Sequence, residues 1–217
     1  MLIKNVIKTT LLVVFLFQQG MAQESNSGFK AAQLKNTRVK AAYDAKWTAL
    51  QSDLKAAKIS PDDFDIYLRV FKQEKEIQVW MKNKAETGYK LFRTYPICAS
   101  SGSLGPKRKE GDGQVPEGFY KLDLFNPTSN YHLSLRVSYP NASDVILKTG
   151  SSAGGAIMVH GNCVTIGCLP ITDEKIKELY VLCVEVQNRK RPLNIDIFPA
   201  KLTDANVAEM RQLAGTT

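Results

Sequence analysis

The chain has 217 residues, 44% of them hydrophobic, and 29 lysines and arginines against 21 acids give a formal charge of +8. That is enough chain to bury one substantial core, as a single domain or a domain with a small appendage. The basic residues are spread without a dense block and no aromatic-basic motif accompanies them, which argues against nucleic acid as a partner.

At the N-terminus, Lys4 and Lys8 precede an apolar run from Thr9 to Phe17, and Gly20-Met21-Ala22 forms a small-x-small cleavage site. The run is too short to cross a bilayer. Residues 1–22 therefore read as a removed secretory signal with Gln23 as the first mature residue, and the mature protein is expected in the periplasm or cell wall. No second long apolar run follows, so no membrane span is expected. Loss of Lys4 and Lys8 leaves a mature charge of about +6, which suits an anionic polymer such as the cell envelope.

After a polar leader, Val39, Tyr43, Trp47, Leu50 and Leu54 recur at helical spacing, which predicts an amphipathic helix over 37–57 packed on the domain that follows. The leader and this helix form a unit over 23–61. From Phe64 the period changes to two. Asp65–Phe71 and Glu76–Met81 read as a hairpin across the turn 72–75, and further strands are expected at 89–99, 118–125, 132–139, 156–160 and 193–198. Thr172 is placed to cap a helix starting at Asp173, with Ile176, Leu179, Tyr180 and Cys183 as its inward stripe. A short helix is predicted over 204–213, in a helical tail covering 201–217. The fold class is mainly β, a β-rich α+β domain over 62–200.

The densest chemistry lies in His160-Gly161-Asn162-Cys163-Val164-Thr165-Ile166-Gly167-Cys168. His160 is one of two histidines in the chain, and it stands at a strand end eight positions before Cys168. A thiol becomes an effective nucleophile when a base or a helix N-terminus favours its thiolate, and a loop turning back from His160 can bring Cys168 within reach of the imidazole. The helix from Asp173 lies slightly too far to count on. Amides near Gly167 and Cys168 are candidate oxyanion donors. Two readings compete for the same residues. One is a Cys163–Cys168 disulfide; the other is a metal site of His160, Cys163 and Cys168 with Cys183. Cys98 and Cys183 lie in apolar stretches and read as small buried hydrophobes, Cys163 as structural, and His132 as a half-exposed strand residue.

His160-Gly161 followed by Gly167-Cys168, together with Gly105-Pro106-Lys107 and Gly111-Asp112-Gly113-Gln114-Val115-Pro116-Glu117-Gly118-Phe119-Tyr120 upstream, resembles the L,D-transpeptidase catalytic domain family. The resemblance runs over roughly residues 62–200. It implies a mixed β-sandwich with a helix after the cysteine, Cys168 as nucleophile and His160 as base, with Gly161 supplying the carbonyl that orients the ring. No cofactor or metal is implied. The implied partner is a peptidoglycan stem peptide, with Asn162, Thr165, Lys107 and Glu117 as candidate substrate contacts and Lys107, Arg108 and Lys109 facing a stem-peptide carboxylate.

The short His160-to-Cys168 spacing, Ile166 where the commoner members have histidine, and Pro170 where they have arginine resemble a smaller branch of the family. That branch includes an amidase that detaches a lipoprotein from peptidoglycan, so a cell-wall-linked protein is a further possible partner and hydrolysis rivals transfer. A papain-like peptidase would carry its cysteine before its histidine, the reverse of this chain. A non-catalytic wall-binding module is the remaining alternative.

Overall fold

The computed structural model describes residues 28–215. The expected signal, residues 1–22, lies outside them. Period-two patterning makes the strands: β1 (Phe64–Phe71) buries Phe64, Ile66, Leu68 and Val70 alternately, and β2 (Glu76–Asn83) does the same with Ile77, Val79 and Met81. They pair antiparallel across the turn 72–75. Then come β3 (Lys90–Pro96), β4 (Gly118–Asn126), β5 (Ser134–Val137), β6 (Met158–His160), β7 (Leu169–Pro170) and β8 (Asn194–Phe198).

The eight strands form one curled sheet in the order β3-β2-β1-β8-β4-β5-β6-β7. β4 joins its halves: Gly118–Lys121 pair with β8, Leu122–Asn126 with β5, and a register shift between Leu122 and Leu124 marks the change of partner. The pairs β1–β8 and β6–β7 are parallel.

Among the described residues five helices accompany the sheet: α1 (Gly28–Leu34), α2 (Thr37–Ala56), α3 (Ala142–Leu147), α4 (Asp173–Asn188) and α5 (Asp204–Gly215). Asn36 caps α2 by accepting from Arg38 N. Leu50 and Leu54 are at most 1% exposed, a burial that stabilises by roughly 1.5–3 kcal/mol for each such side chain.

The stretch read as a polar leader contains α1. Its Phe29 meets Phe125 edge to face at 5.0 Å, and Lys30 pairs with Glu185. That contact explains a second difference. The predicted single stripe on α4 is in fact burial of every residue from Glu178 to Val186, because α1 and α2 cover the face turned from the sheet. Two acids are caught there, and buried carboxylates need partners. Glu178 accepts from Arg93 and Tyr95, and Glu185 from Lys30 and Tyr43.

Thr172 occupies the N-cap of α4, yet its side chain makes no cap hydrogen bond. His132 is not a strand residue: it precedes β5 in the left-handed region (φ 69°), where its carbonyl accepts from Arg38. Ala156, expected to open β6, also has positive φ, so the strand starts at Met158.

Candidate active site

The parallel pairing of β6 with β7 sets Val159 opposite Leu169 and His160 opposite Pro170. Continuing that register puts Cys168 level with Met158, on the same face as His160 and one diagonal away, about 8 Å between backbones. The loop 161–167 thus closes on itself through two strand residues that hydrophobic patterning could not reveal. Cys168 Sγ lies 3.6 Å from Ala156 O, and among the described residues no hydrogen bond joins it to the imidazole. Such bonds commonly tighten only when substrate is seated.

His160 is 1% exposed and lies against the Tyr131 ring, centroids 4.7 Å apart. Its Nδ1 is 2.5 Å from Gly161 O. A carbonyl only accepts, so the neutral ring carries its proton on Nδ1 and leaves the Nε2 lone pair free of a proton. Burial lowers the imidazole pKa, with the Gly161 carbonyl opposing. Burial raises the Cys168 thiol, opposed by a backbone hydrogen bond from Met158 and the Lys107 charge. Both shifts favour thiol and neutral imidazole over an ion pair.

Gly161 tolerates no side chain: a Cβ would lie 2.5 Å from Asp173 Oδ1 and 2.9 Å from Tyr131 O. The same Asp173 oxygen accepts from Asn162 N at 2.8 Å, so the first residue of α4 fastens the loop start. Asn162 itself sits at φ 62° with its side-chain oxygen accepting from Cys163 N. Gly167 (φ 129°) approaches Gln114 O so closely that a Cβ would stand 3.0 Å from it.

Thr165 differs from a free substrate contact. Its hydroxyl accepts from Gly167 N (3.2 Å) and Cys168 N (2.8 Å) and donates to Cys168 O (2.9 Å), which uses its one proton and both lone pairs. The two amides expected to face an oxyanion are thus held on Thr165 Oγ1. Thr165→Ser is expected to retain processing. Thr165→Val, which strands two amides, is expected to slow it roughly 5- to 150-fold, as a loss of about 1–3 kcal/mol requires. Steady-state rates of the two variants decide.

Lys107 and Glu117 are placed in the upstream loop rather than aimed at a ligand. Lys107, expected to face a stem-peptide carboxylate, is 4% exposed; it donates to Asp112 Oδ1 (2.6 Å) and Lys109 O (2.9 Å). Asp112 also accepts from the amides of Arg108, Lys109 and Gln114, which holds its carboxyl well below the usual carboxylate range. Glu117 accepts from Lys72 Nζ and Gly105 N, both at 2.8 Å. These bonds shape the wall on which Gly167 packs.

Cys98 and Cys163 form a disulfide, Cα atoms 5.3 Å apart. This overturns the reading of Cys98 as a buried hydrophobe and the Cys163–Cys168 pairing, and it removes Cys163 from the four-ligand metal set. Cys168 stays a free thiol, and Cys183 is buried within α4. The partners are 65 positions apart, and connectivity across such a distance cannot be deduced from spacing.

A cleft of about 360 Å³ opens beside Cys168. Its walls include the turn after β1 (Lys72, Gln73, Lys75), Ile97 and residues 99–104 after β3, and Glu209 of α5. None of these wall groups was singled out from the sequence. The alternation that marks strands says nothing about irregular segments brought together by the sheet's curl.

Residues 65–193 match the YkuD family model, described as the L,D-transpeptidase catalytic domain. YafK of Escherichia coli (strain K12), provisionally named as an L,D-transpeptidase, is 34% identical over 145 residues, which cover 65% of this chain and 57% of that protein. The chain therefore spans just over half the length of this curated relative. Among solved structures, the helical cell shape determining protein Pgp2 from Campylobacter jejuni shares the fold, with a TM-score of 0.51 and 22% identity over 64% of this chain and 49% of that one. With more than half its length inside the family model, this chain belongs to the L,D-transpeptidase catalytic domain family.

Proposed function

We propose that this protein is an exported enzyme that transfers peptidoglycan stem-peptide acyl groups through a Cys168 thioester, in remodelling or cross-linking of the cell wall. The observation that carries the reading is the free thiol of Cys168 at the cleft, on the same strand face as an imidazole whose Nδ1 is bonded to Gly161 O. Export to the periplasm or cell wall accords with the Cys98–Cys163 disulfide, since such bonds persist in oxidising compartments. No helix among the described residues is long and apolar enough to cross a membrane. The domain boundaries at 22, 61 and 200 belong to the same proposal.

In the first step, His160 Nε2 takes the Sγ proton as the thiolate attacks the carbonyl carbon of the third stem residue. The imidazolium then gives that proton to the departing amine, and an acyl thioester remains. A second amine, or water, attacks the thioester while His160 accepts its proton, and that proton returns to Sγ. Gly161 positions the base through its carbonyl and Gly167 lets the wall approach the nucleophile. Transfer and hydrolysis differ only in the second acceptor.

Incubating the mature protein with defined tri- and tetrapeptide muropeptides and resolving products by mass tests the reading. Cross-linked or amino-acid-exchanged products are expected; shortened or released peptides alone would reassign the second step to water. An unchanged substrate would overturn the acyl-transfer reading.

The pH profile has a definite sign. Because burial lowers the His160 pKa, the ring stays an unprotonated base to lower pH than an ordinary histidine, so the acid limb of kcat/KM should fall below pH of about 6.5. A resting ion pair would instead place that limb at the thiol's own titration. Measuring kcat/KM from acid to neutral pH separates the two.

A further inference from the structure

A second hollow lies on the sheet face opposite the core. Along β1, Ile66, Leu68 and Val70 go inward, so Tyr67, Arg69 and Phe71 share the outer face with their cross-strand partners Trp80, Gln78 and Phe198. Arg69, Phe71, Trp80 and Phe198, with Pro199 and Leu202, line a cavity of about 310 Å³ that shares no wall residue with the cleft beside Cys168. The Arg69 guanidinium carbon stands 5.1, 5.5 and 5.6 Å from the ring centroids of Phe71, Phe198 and Trp80. Rings at that range attract the charge, but they leave its fork of N–H donors without an acceptor.

Among the described residues Arg69 makes no hydrogen bond and no ion pair. Its polar neighbours are turned elsewhere. Gln78 accepts from Trp80 Nε1 and donates to Glu76, Glu76 pairs with Lys201 at 2.7 Å, and Asp196, across the β1–β8 pair, accepts from the Tyr67 hydroxyl. The apolar wall also runs on past the cavity. Phe119, 71% exposed, meets Phe198 edge to face at 6.3 Å, and Leu202 is 87% exposed. A contiguous apolar surface with one unanswered cation at its centre is the pattern of a ligand site rather than of a solvated sheet face.

We infer that this hollow binds the C-terminal carboxylate of an extended peptide whose last residue is apolar. The two carboxylate oxygens match the paired N–H donors of a guanidinium, which a single ammonium could not serve as well. The last side chain lies against Phe198 and Leu202, and the residue before it covers Phe119. The reach of the apolar wall beyond the cavity favours a chain over a small free acid. This site goes beyond the acyl-transfer reading, since it needs neither Cys168 nor turnover.

The test is an NMR titration of the isotope-labelled mature protein, read at the Trp80 indole N–H, with the indole of Trp47 on α2 as internal control. The probes are acetyl-alanyl-leucine with a free carboxylate, the same peptide as its C-terminal amide, and isocaproate, which is the last side chain as a free acid. The free peptide should bind at least about tenfold more tightly than the amide, the size of one hydrogen bond to a charged group. Arg69→Gln should erase that preference, and Arg69→Lys, which keeps the charge and loses the fork, should retain only part of it. Phe119→Ala should weaken the peptide and leave isocaproate unchanged. Equal binding of the free and amidated peptides, or an Arg69→Gln protein that still distinguishes them, would overturn the site. Isocaproate binding as tightly as the peptide would overturn the peptide as its occupant. If a variant does not fold, the comparison of free and amidated peptide on the parent protein still decides.

Discussion

Cys168→Ala protein is expected to process no muropeptide, and His160→Gln to lose about 10²–10⁴-fold in kcat, the usual contribution of a positioned general base. The two losses should not add. Once the thiol is gone the base has no proton to take, so the double variant should match Cys168→Ala alone. His160 is 1% exposed and lies against the Tyr131 ring, so thermal melts must accompany the rates. Intact mass of the parent enzyme quenched during turnover should show an acyl adduct that maps to Cys168 and is absent from Cys168→Ala. Full processing by Cys168→Ala would refute the nucleophile assignment, whatever His160 does.

This prediction draws on contacts that differ in how far they can be read from sequence. β1 was legible because Phe64, Ile66, Leu68 and Val70 alternate with polar neighbours, and burial on one face is what that alternation encodes. The nearness of His160 and Cys168 was legible for a local reason: a strand end, a short loop and a glycine before the cysteine leave few ways for the chain to run. β7, the element that fixes their register, is two residues long and carries no period at all.

Long-range electrostatics was less accessible still. Lys107 reads as one of three consecutive cations, and only the fold shows that Asp112, with three backbone amides on its carboxylate, holds it in the interior. The same holds for Thr165. A threonine near a cysteine suggests a hydroxyl for substrate, but the short loop 161–167 needs its own amides satisfied, and that demand came first. α4 shows the converse case. Its apolar stripe was readable, while burial of Glu178 and Glu185 depended on α1, α2 and the cations they bring.

Removing the Cys98–Cys163 bond should destabilise the native state by about 2–5 kcal/mol, because the closed loop spans 65 positions and a long loop gains more entropy when released. The comparison is chemical unfolding of the parent against Cys98→Ala/Cys163→Ala, with and without reductant. Reductant should lower the stability of the parent to that of the double variant and leave the variant unchanged. Thiol counting gives an independent reading: native protein should expose Cys168 to alkylation, unfolded oxidised protein Cys168 and Cys183, and unfolded reduced protein all four cysteines of the chain. If reductant leaves the unfolding midpoint where it was, the pairing is wrong. Activity should fall with stability, since the bond ties the loop carrying Asn162 to Cys98, between the cleft-wall residues Ile97 and Ala99. Protein made in a reducing cytoplasm should therefore be both less stable and less active than the same chain matured in an oxidising compartment. The difference should vanish in the double variant, which ties the proposed export of this chain to the geometry of its site.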